Sequence, residues 1–385
     1  MKVAIIHYWL VSHRGGEKVL DALCDLWPEA DVYTHVYDPS VASPVLRNRV
    51  VKTTFIQKLP FAKKLYKKYL PLMPHALELL DLSEYDLVIS SESGPAKGVL
   101  VGPGALHICY CHSPMRYIWD QYHTYSANSG WVTRKAMELL LPSLRAWDFL
   151  SAARVDQFVA NSAFVASRIA KYYRRQAAVI HPPVDVDNFA IASETGDYYL
   201  AFGQLVRYKR FDLAVDAFTR MGKRLLIAGT GEEEKKLRAR AGKSVEFLGW
   251  QSDAQLRELL SRCRALIFPG EEDFGIVPVE AMASGRPVIA YGRGGALETV
   301  IPGRTGILFQ EQTVDGLCAA VNDYERIAES FSPQQIRAHA ENFRPEIFAA
   351  KLRALVVESG RLRPNPGEAA PVASAAVARE PATSP

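Results

Sequence analysis

The chain has little cysteine, little net charge and no long apolar run, and each shortage removes a class of protein. Five cysteines in 385 residues (Cys24, Cys109, Cys111, Cys263, Cys318) form an odd set scattered through apolar stretches. That is no disulfide framework, and it fits a reducing compartment. The formal charge of +4 is small for a nucleic-acid binder, so no nucleic-acid partner is expected, although a local basic patch is permitted. No run of about 18 apolar residues occurs, which argues against a transmembrane helix. The opening MKVAIIHYWL lacks a cleavage pattern and reads as a first strand rather than a signal peptide. A cytoplasmic protein is expected. No complete Gly-x-Gly-x-x-Gly follows the first strand, so a dinucleotide fingerprint is missing too.

What is present is a rhythm. KVAIIHY is followed by RGGEKVLDALCDLW, and YDLVISS by PAKGVL; HICYCH, DQFVANS and AAVIHPP continue the series. Unbroken apolar strands alternating with amphipathic stretches indicate parallel sheet covered on both faces. HPPVDVDNFAIASETGD interrupts with Pro, Asp, Ser and Gly and reads as an interdomain connection. The rhythm restarts at YYLAFGQ and runs through KRLLIAGTG, VEFLGW, ALIFPG, RPVIAYG and GILF. The fold class expected is α/β, with two Rossmann-like domains, residues 1–185 and 195–340. RPEIFAAKLRALVVES predicts a C-terminal helix, within residues 341–362, that packs back on the fold. The Pro/Ala/Ser-rich residues 363–385 predict a disordered tail.

In doubly wound sheets, ligands sit outside the carboxyl ends of the strands, so the loops after strands hold the candidates. Gly15 and Gly16 follow the first strand and open a helix, where backbone can approach a ligand. Arg207, Lys209 and Arg210 lie in GQLVRYKRFDLAV between a strand and a helix, where cations suit a pyrophosphate. FPGEEDFGIVPVEAMASGRPVIA carries Glu272 at a strand's end and Glu280 about a turn into the next helix. Carboxylates accept from sugar hydroxyls, and helix N–H groups neutralise phosphate, so the pair suits a sugar nucleotide. A glycosidase acid/base pair and simple helix-end charge are the other readings of these two residues.

EEDFGIVPVEAMASGRPVIA resembles the Glu-x7-Glu motif of retaining glycosyltransferases with the GT-B fold, of the family-four type. GGALETV, FGQLVRYKRFDLAVDAF, VANSAFVASRI and VIHPPVDVDNF resemble further segments of that family. FIQKLPFAKKLYKKYLPLMP and HICYCHSPMRYIWDQY are most similar to bacterial mannosyltransferases that build O-antigen and exopolysaccharide chains. The resemblance implies two domains facing each other across a cleft, with the C-terminal helix crossing back. It implies transfer of a hexose, pointing to mannose from GDP-mannose, onto a lipid-linked glycan, without a metal or other cofactor. It implies roles as well. Glu272 would take the transferred sugar's hydroxyls with the backbone of Phe274, Gly275 and Ile276. Glu280 would take the ribose, and Lys209 the β-phosphate as the leaving group departs. His112 would stand near the reacting centre, and Gly15 and Gly16 would form the acceptor-side loop, Gly16 also facing donor phosphate. The chain departs from the pattern at Gln204, where the family commonly has arginine. Arg207 is the expected substitute.

Within the same class the other reading is a UDP-sugar glycosyltransferase; outside it, the readings are a GT-B UDP-sugar 2-epimerase and a catalytically silent nucleotide-sugar-binding subunit. The epimerase would need an extra carboxylate set in the first domain, and none stands out. A zinc site in HICYCH is disfavoured, because strand alternation puts Cys109 and Cys111 on one face and His112 on the other. Asp185–Asp187 reads as turn chemistry. Residues 58–72 predict a basic amphipathic helix. Phe61, Leu65, Tyr66, Tyr69 and Leu70 would lie on one side and Lys63, Lys64, Lys67 and Lys68 on the other. Such an element suits peripheral contact with the anionic inner face of a cell membrane.

Overall fold

The apolar runs become the strands of two parallel sheets. The computed structural model describes residues 1–122 and 130–361. The first sheet has seven strands: β1 Val3–His7, β2 Asp31–Thr34, β3 Val51–Thr53, β4 Leu87–Glu92, β5 Leu106–Cys111, β6 Gln157–Ala160 and β7 Ala177–Val179. Their order is β3-β2-β1-β4-β5-β6-β7. The second sheet has six: β8 Tyr199–Phe202, β9 Leu225–Ala228, β10 Val245–Gly249, β11 Leu266–Phe268, β12 Val288–Tyr291 and β13 Gly306–Phe309, ordered β10-β9-β8-β11-β12-β13. Every residue of β1, β4 and β5 is buried. That is why these segments are continuously apolar or small: helices cover both of their faces.

The helices that matter below are α1 Gly15–Leu26, α2 Trp131–Ser151, α3 Ala163–Tyr173, α4 Phe211–Met221, α5 Asp253–Arg262, α6 Ile276–Ala283 and α7 Pro345–Arg361. α7 begins beside the second domain and returns to the first. Phe348 and Leu352 are buried in the core built by β1, β4, β5 and α1, and Phe348 meets the Tyr110 ring edge-on at 5.7 Å. Each such apolar side chain contributes roughly 1.5–3 kcal/mol by burial.

Two expectations fail. PAKGVL forms no helix between β4 and β5; residues 93–105 are turns and bends, and Lys97 is buried among carboxylates instead of facing water. Residues 58–72 are not one amphipathic helix. The chain there breaks into Phe55–Lys58, Ala62–Leu65 and Tyr66–Leu72, the first and last of them 3₁₀. Pro60 removes a donor, Phe61 adopts a left-handed conformation (φ 53°), and Pro71, inside the third piece, removes another donor. Tyr66, Tyr69 and Leu70 still pack inward, but Phe61 is exposed. The expected tail, residues 363–385, lies outside the described residues.

Candidate active site

Topology brings the candidate loops together. In each sheet the strand order reverses beside its first strand, between β1 and β4 and between β8 and β11. Crevices open outside the carboxyl ends of strands at such points. The loop after β1 carries Arg14, Gly15 and Gly16; the loop after β8 carries Gln204, Arg207 and Lys209; the loop after β11 carries Glu272 to Gly275.

On the second domain, Lys209 Nζ lies 2.7 Å from Glu272 Oε1. Burial works against the charged lysine, but the attraction of Glu272 outweighs it and raises its pKa. Gly203 passes above the ammonium at φ 140°, and a Cβ there would stand 3.2 Å from Nζ, so the position requires glycine. Arg207 shares the short turn Arg207–Lys209 and is exposed. Arg210 turns away to Asp212 and Gln312. Phe274 is buried and stacks on His181 with centroids 5.3 Å apart. Gly275 (φ 87°) caps α6, and the first N–H groups of that helix, from Ile276 onward, have no intrahelical acceptor. Glu280, one turn in, is buried and accepts from Lys18 Nζ at 2.6 Å. Lys18 belongs to α1 of the first domain, so this ion pair crosses the cleft.

On the first domain, Gly16 is the point of closest approach. A Cβ there would lie 2.5 Å from the Tyr8 hydroxyl and 3.8 Å from His112 Nε2. At Gly15 it would lie 2.9 Å from Ile276 Cδ1, so the two domains touch at this loop. His112 follows β5. Its Nε2 is 2.9 Å from Ser91 Oγ, which is also 3.0 Å from His7 Nδ1. Ser91 Oγ has one proton and two lone pairs, so at most one of the two rings accepts from it and the other donates to it. Burial pushes the His112 pKa down to about 4, against the pull of Asp273; His7 is held well below the ordinary value, by burial and then by His112. Both imidazoles are neutral at pH 7.

Several residues at the cleft gave no separate signal in the sequence, Glu298 excepted, which closes the GGALE segment noted above. Asp273, between Glu272 and Phe274, is held entirely by the first domain. Arg168 Nη1 bonds it at 2.9 Å, Arg116 pairs with it, and its carbonyl accepts from Ser162 Oγ at 2.6 Å. Glu298, in GGALETV, accepts from the N–H groups of Ala163 and Phe164 at 2.8 and 3.1 Å and from His181 at 3.2 Å. It caps α3 across the domain boundary. Lys18 and Arg14 flank the Gly15-Gly16 turn. Arginines next to SerPro and GlyGly turns were the available hint, but each partner is distant in sequence.

Lys18, Asp21, Phe202, Asp253, Ile276 and Glu280 line a cleft of about 440 Å³ between the domains, within the range of small-molecule sites. Among the described residues, no group of three or more His, Cys, Asp or Glu side chains is placed to hold a metal. No helix there is long and apolar enough to cross a membrane.

Comparison with known proteins agrees with this fold. The family model described as Glycosyltransferase Family 4 matches residues 13–188, and that described as Glycosyl transferases group 1 matches residues 184–364. The α-1,3/1,6-mannosyltransferase alg2 of Schizosaccharomyces pombe is 25% identical over 371 residues, covering 80% of this chain and 70% of its own. Glycogen synthase of Mycobacterium tuberculosis is 30% identical over 212 residues, about half of each chain. Among solved structures, Anabaena HepE in complex with UDP superposes with a TM-score of 0.69 at 17% identity, covering 93% of this chain and 100% of that one. The two matched family models together run from residue 13 to residue 364, and the chain is a glycosyltransferase of the family-four type with a GT-B fold.

Proposed function

We propose that the protein is a retaining mannosyltransferase that moves mannose from GDP-mannose to a lipid-linked glycan in bacterial O-antigen or exopolysaccharide synthesis. One observation carries the proposal. Lys209 pairs with Glu272 at the carboxyl end of β11, and Glu280 pairs across the domain boundary with Lys18, two residues after Gly16. The alg2 relative's name favours mannose within the glycosyltransferases.

In this reading the donor replaces two ion pairs. Its phosphate takes Lys209 from Glu272, which frees Glu272 for the hexose hydroxyls. Its ribose takes Glu280 from Lys18. The acceptor hydroxyl attacks the anomeric carbon, the bond to the β-phosphate oxygen breaks, and the hydroxyl proton passes to the departing phosphate. Lys209 and the N–H groups of Gly16, Gly275 and Ile276 stabilise that charge. Neutral His112, held at Ser91, offers a hydrogen bond to the sugar. Attack from the face the leaving group vacates preserves the anomeric configuration. Exposed Lys58, Lys63, Lys64, Lys67 and Lys68, with exposed Phe61 and Leu72, form the peripheral surface that would meet the anionic membrane bearing the acceptor.

A thermal-shift screen against GDP and UDP sugars tests the donor. A ligand that binds only the native state raises Tm, and GDP-mannose is expected to raise it most. Preference for a UDP sugar would replace the mannose reading with a UDP-sugar transferase, the reading favoured by the UDP complex of HepE. Co-sedimentation with phosphatidylglycerol vesicles tests the membrane surface; loss-free substitution of Lys63, Lys64, Lys67 and Lys68 by Glu would refute it.

A further inference from the structure

We propose that Arg14, on the first domain, supplies the second phosphate-binding cation of the donor site, in place of the arginine absent at position 204 and instead of Arg207. The inference rests on the glycosyl-transfer reading above and deepens it.

The charge balance calls for such a group. A nucleoside diphosphate sugar brings two negative charges, and further negative charge builds on the β-phosphate oxygen as the sugar departs, until that oxygen takes the acceptor's proton. Lys209 is one cation, and it is paired with Glu272. Gln204, neutral, stands where the resembled enzymes commonly carry a cation. Its Oε1 accepts a hydrogen bond from Arg14 Nη1 at 2.6 Å, across 190 residues of sequence and across the domain boundary. Gln204 adjoins Gly203, the residue that passes over the Lys209 ammonium. The guanidinium of Arg14 is therefore brought to the same loop edge as Lys209, from the opposite side.

The local anchoring fits that role. Arg14 immediately precedes Gly15 and Gly16, and its own N–H bonds the buried carboxylate of Glu17 at 3.0 Å. That bond fixes the backbone while the side chain extends, exposed, into the cleft. The guanidinium rests on a neutral amide, which holds its direction and leaves other fork N–H groups able to meet phosphate oxygens. Arg207 sits on the second domain's own turn and is exposed. A cation delivered from the first domain makes neutralisation of the leaving group conditional on apposition of the two domains. Lys209 and the α6 N–H groups come from one side, and Arg14 with the Gly16 turn from the other.

The test exchanges the cation between domains in the full chain. Arg14→Ala is expected to lower kcat about 50-fold or more, the scale of losing one charge-stabilising donor, with a smaller rise in donor KM. Arg14→Ala combined with Gln204→Arg is expected to recover at least about tenfold of that loss. A purely structural Arg14–Gln204 bridge could not be rescued this way, because the double variant restores no bond between the two positions. Unfolding midpoints of each variant establish that folding is intact. Binding of GDP and UDP to the wild-type protein, read as a rise in Tm, is measured alongside. If neither binds, the donor reading fails and the Arg14 assignment with it. If one binds and Arg14→Ala retains wild-type turnover, or the double variant shows no recovery, the Arg14 assignment alone is overturned. A large loss in Arg207→Ala with none in Arg14→Ala would return the role to Arg207.

Discussion

Two of the protein's lysine–carboxylate sites differ in one respect, whether anything is left over for a ligand. Lys97, Glu92 and Asp148 are wholly buried in the first domain. Lys97 Nζ bonds Glu92 at 2.8 Å and also Asp148, and it lies 4.6 Å from the centroid of the Tyr173 ring. Glu92 further accepts from the N–H groups of Ala96 and Lys97, and Asp148 from Trp119 and Tyr173. Burial opposes the charge on Lys97, and the two carboxylates more than restore it. Each group is saturated by protein. At the cleft, Lys209 has Glu272, and both remain partly open, at 14% and 20% exposure. A saturated cluster fixes the turn after β4 to α2. A pair at the mouth of a crevice can exchange partners, and exchange is what a binding site requires.

Two substitutions probe the contrast. Lys97→Met leaves two buried carboxylates facing each other and should cost about 3–5 kcal/mol, read by urea unfolding; a loss under about 1 kcal/mol would mean the cluster is not what holds that turn. Lys209→Ala should do the reverse. Stability should change by less than about 1 kcal/mol, as for other partly exposed pairs, while turnover falls roughly 10²–10³-fold. Donor binding should weaken far less; equal losses in turnover and binding would show that Lys209 grips the ground state only.

The smallest effect concerns protons. His112 and His35 are held down to about 4, both by burial, and His7 well below its ordinary value. Unfolded histidine takes its proton near pH 6.5. The unfolded chain therefore binds more protons below that pH. The stability these rings contribute is complete above about 6.5 and drains as the pH falls toward 4, by at most about 1.4 kcal/mol per pH unit for each ring. Melting curves between pH 7 and 4.5 should slope accordingly, and His112→Asn should make the slope shallower. An unchanged slope would show that His112 is protonated as readily folded as unfolded.

The fold was largely legible because strands buried on both faces must be apolar throughout, and β1, β4 and β5 are. The loops after β8 and β11 were marked by the spacing of Glu272 and Glu280 and by Lys209 near them. What stayed hidden shares one property: the deciding partner is remote in sequence. Lys97 in PAKGVL looks like a surface lysine until Asp148, 51 residues on, is folded against it. Asp273 looks like one more acidic loop residue until Arg116 and Arg168 reach it from the other domain. The amphipathic pattern of residues 58–72 misled for a local reason. The period of apolar side chains was right, but Pro60, Pro71 and the left-handed Phe61 break the backbone that would have carried it.

The return of α7 to the first domain has a consequence for dissecting the molecule. Phe348 and Leu352 complete a core whose other members lie in the first half of the chain. A single cut in the connection after β7 would therefore yield neither half intact. The first fragment would expose an apolar trough where α7 belongs, and the second would carry an unhoused amphipathic helix. Separate expression should yield soluble first domain only when residues 345–361 are fused or supplied in trans.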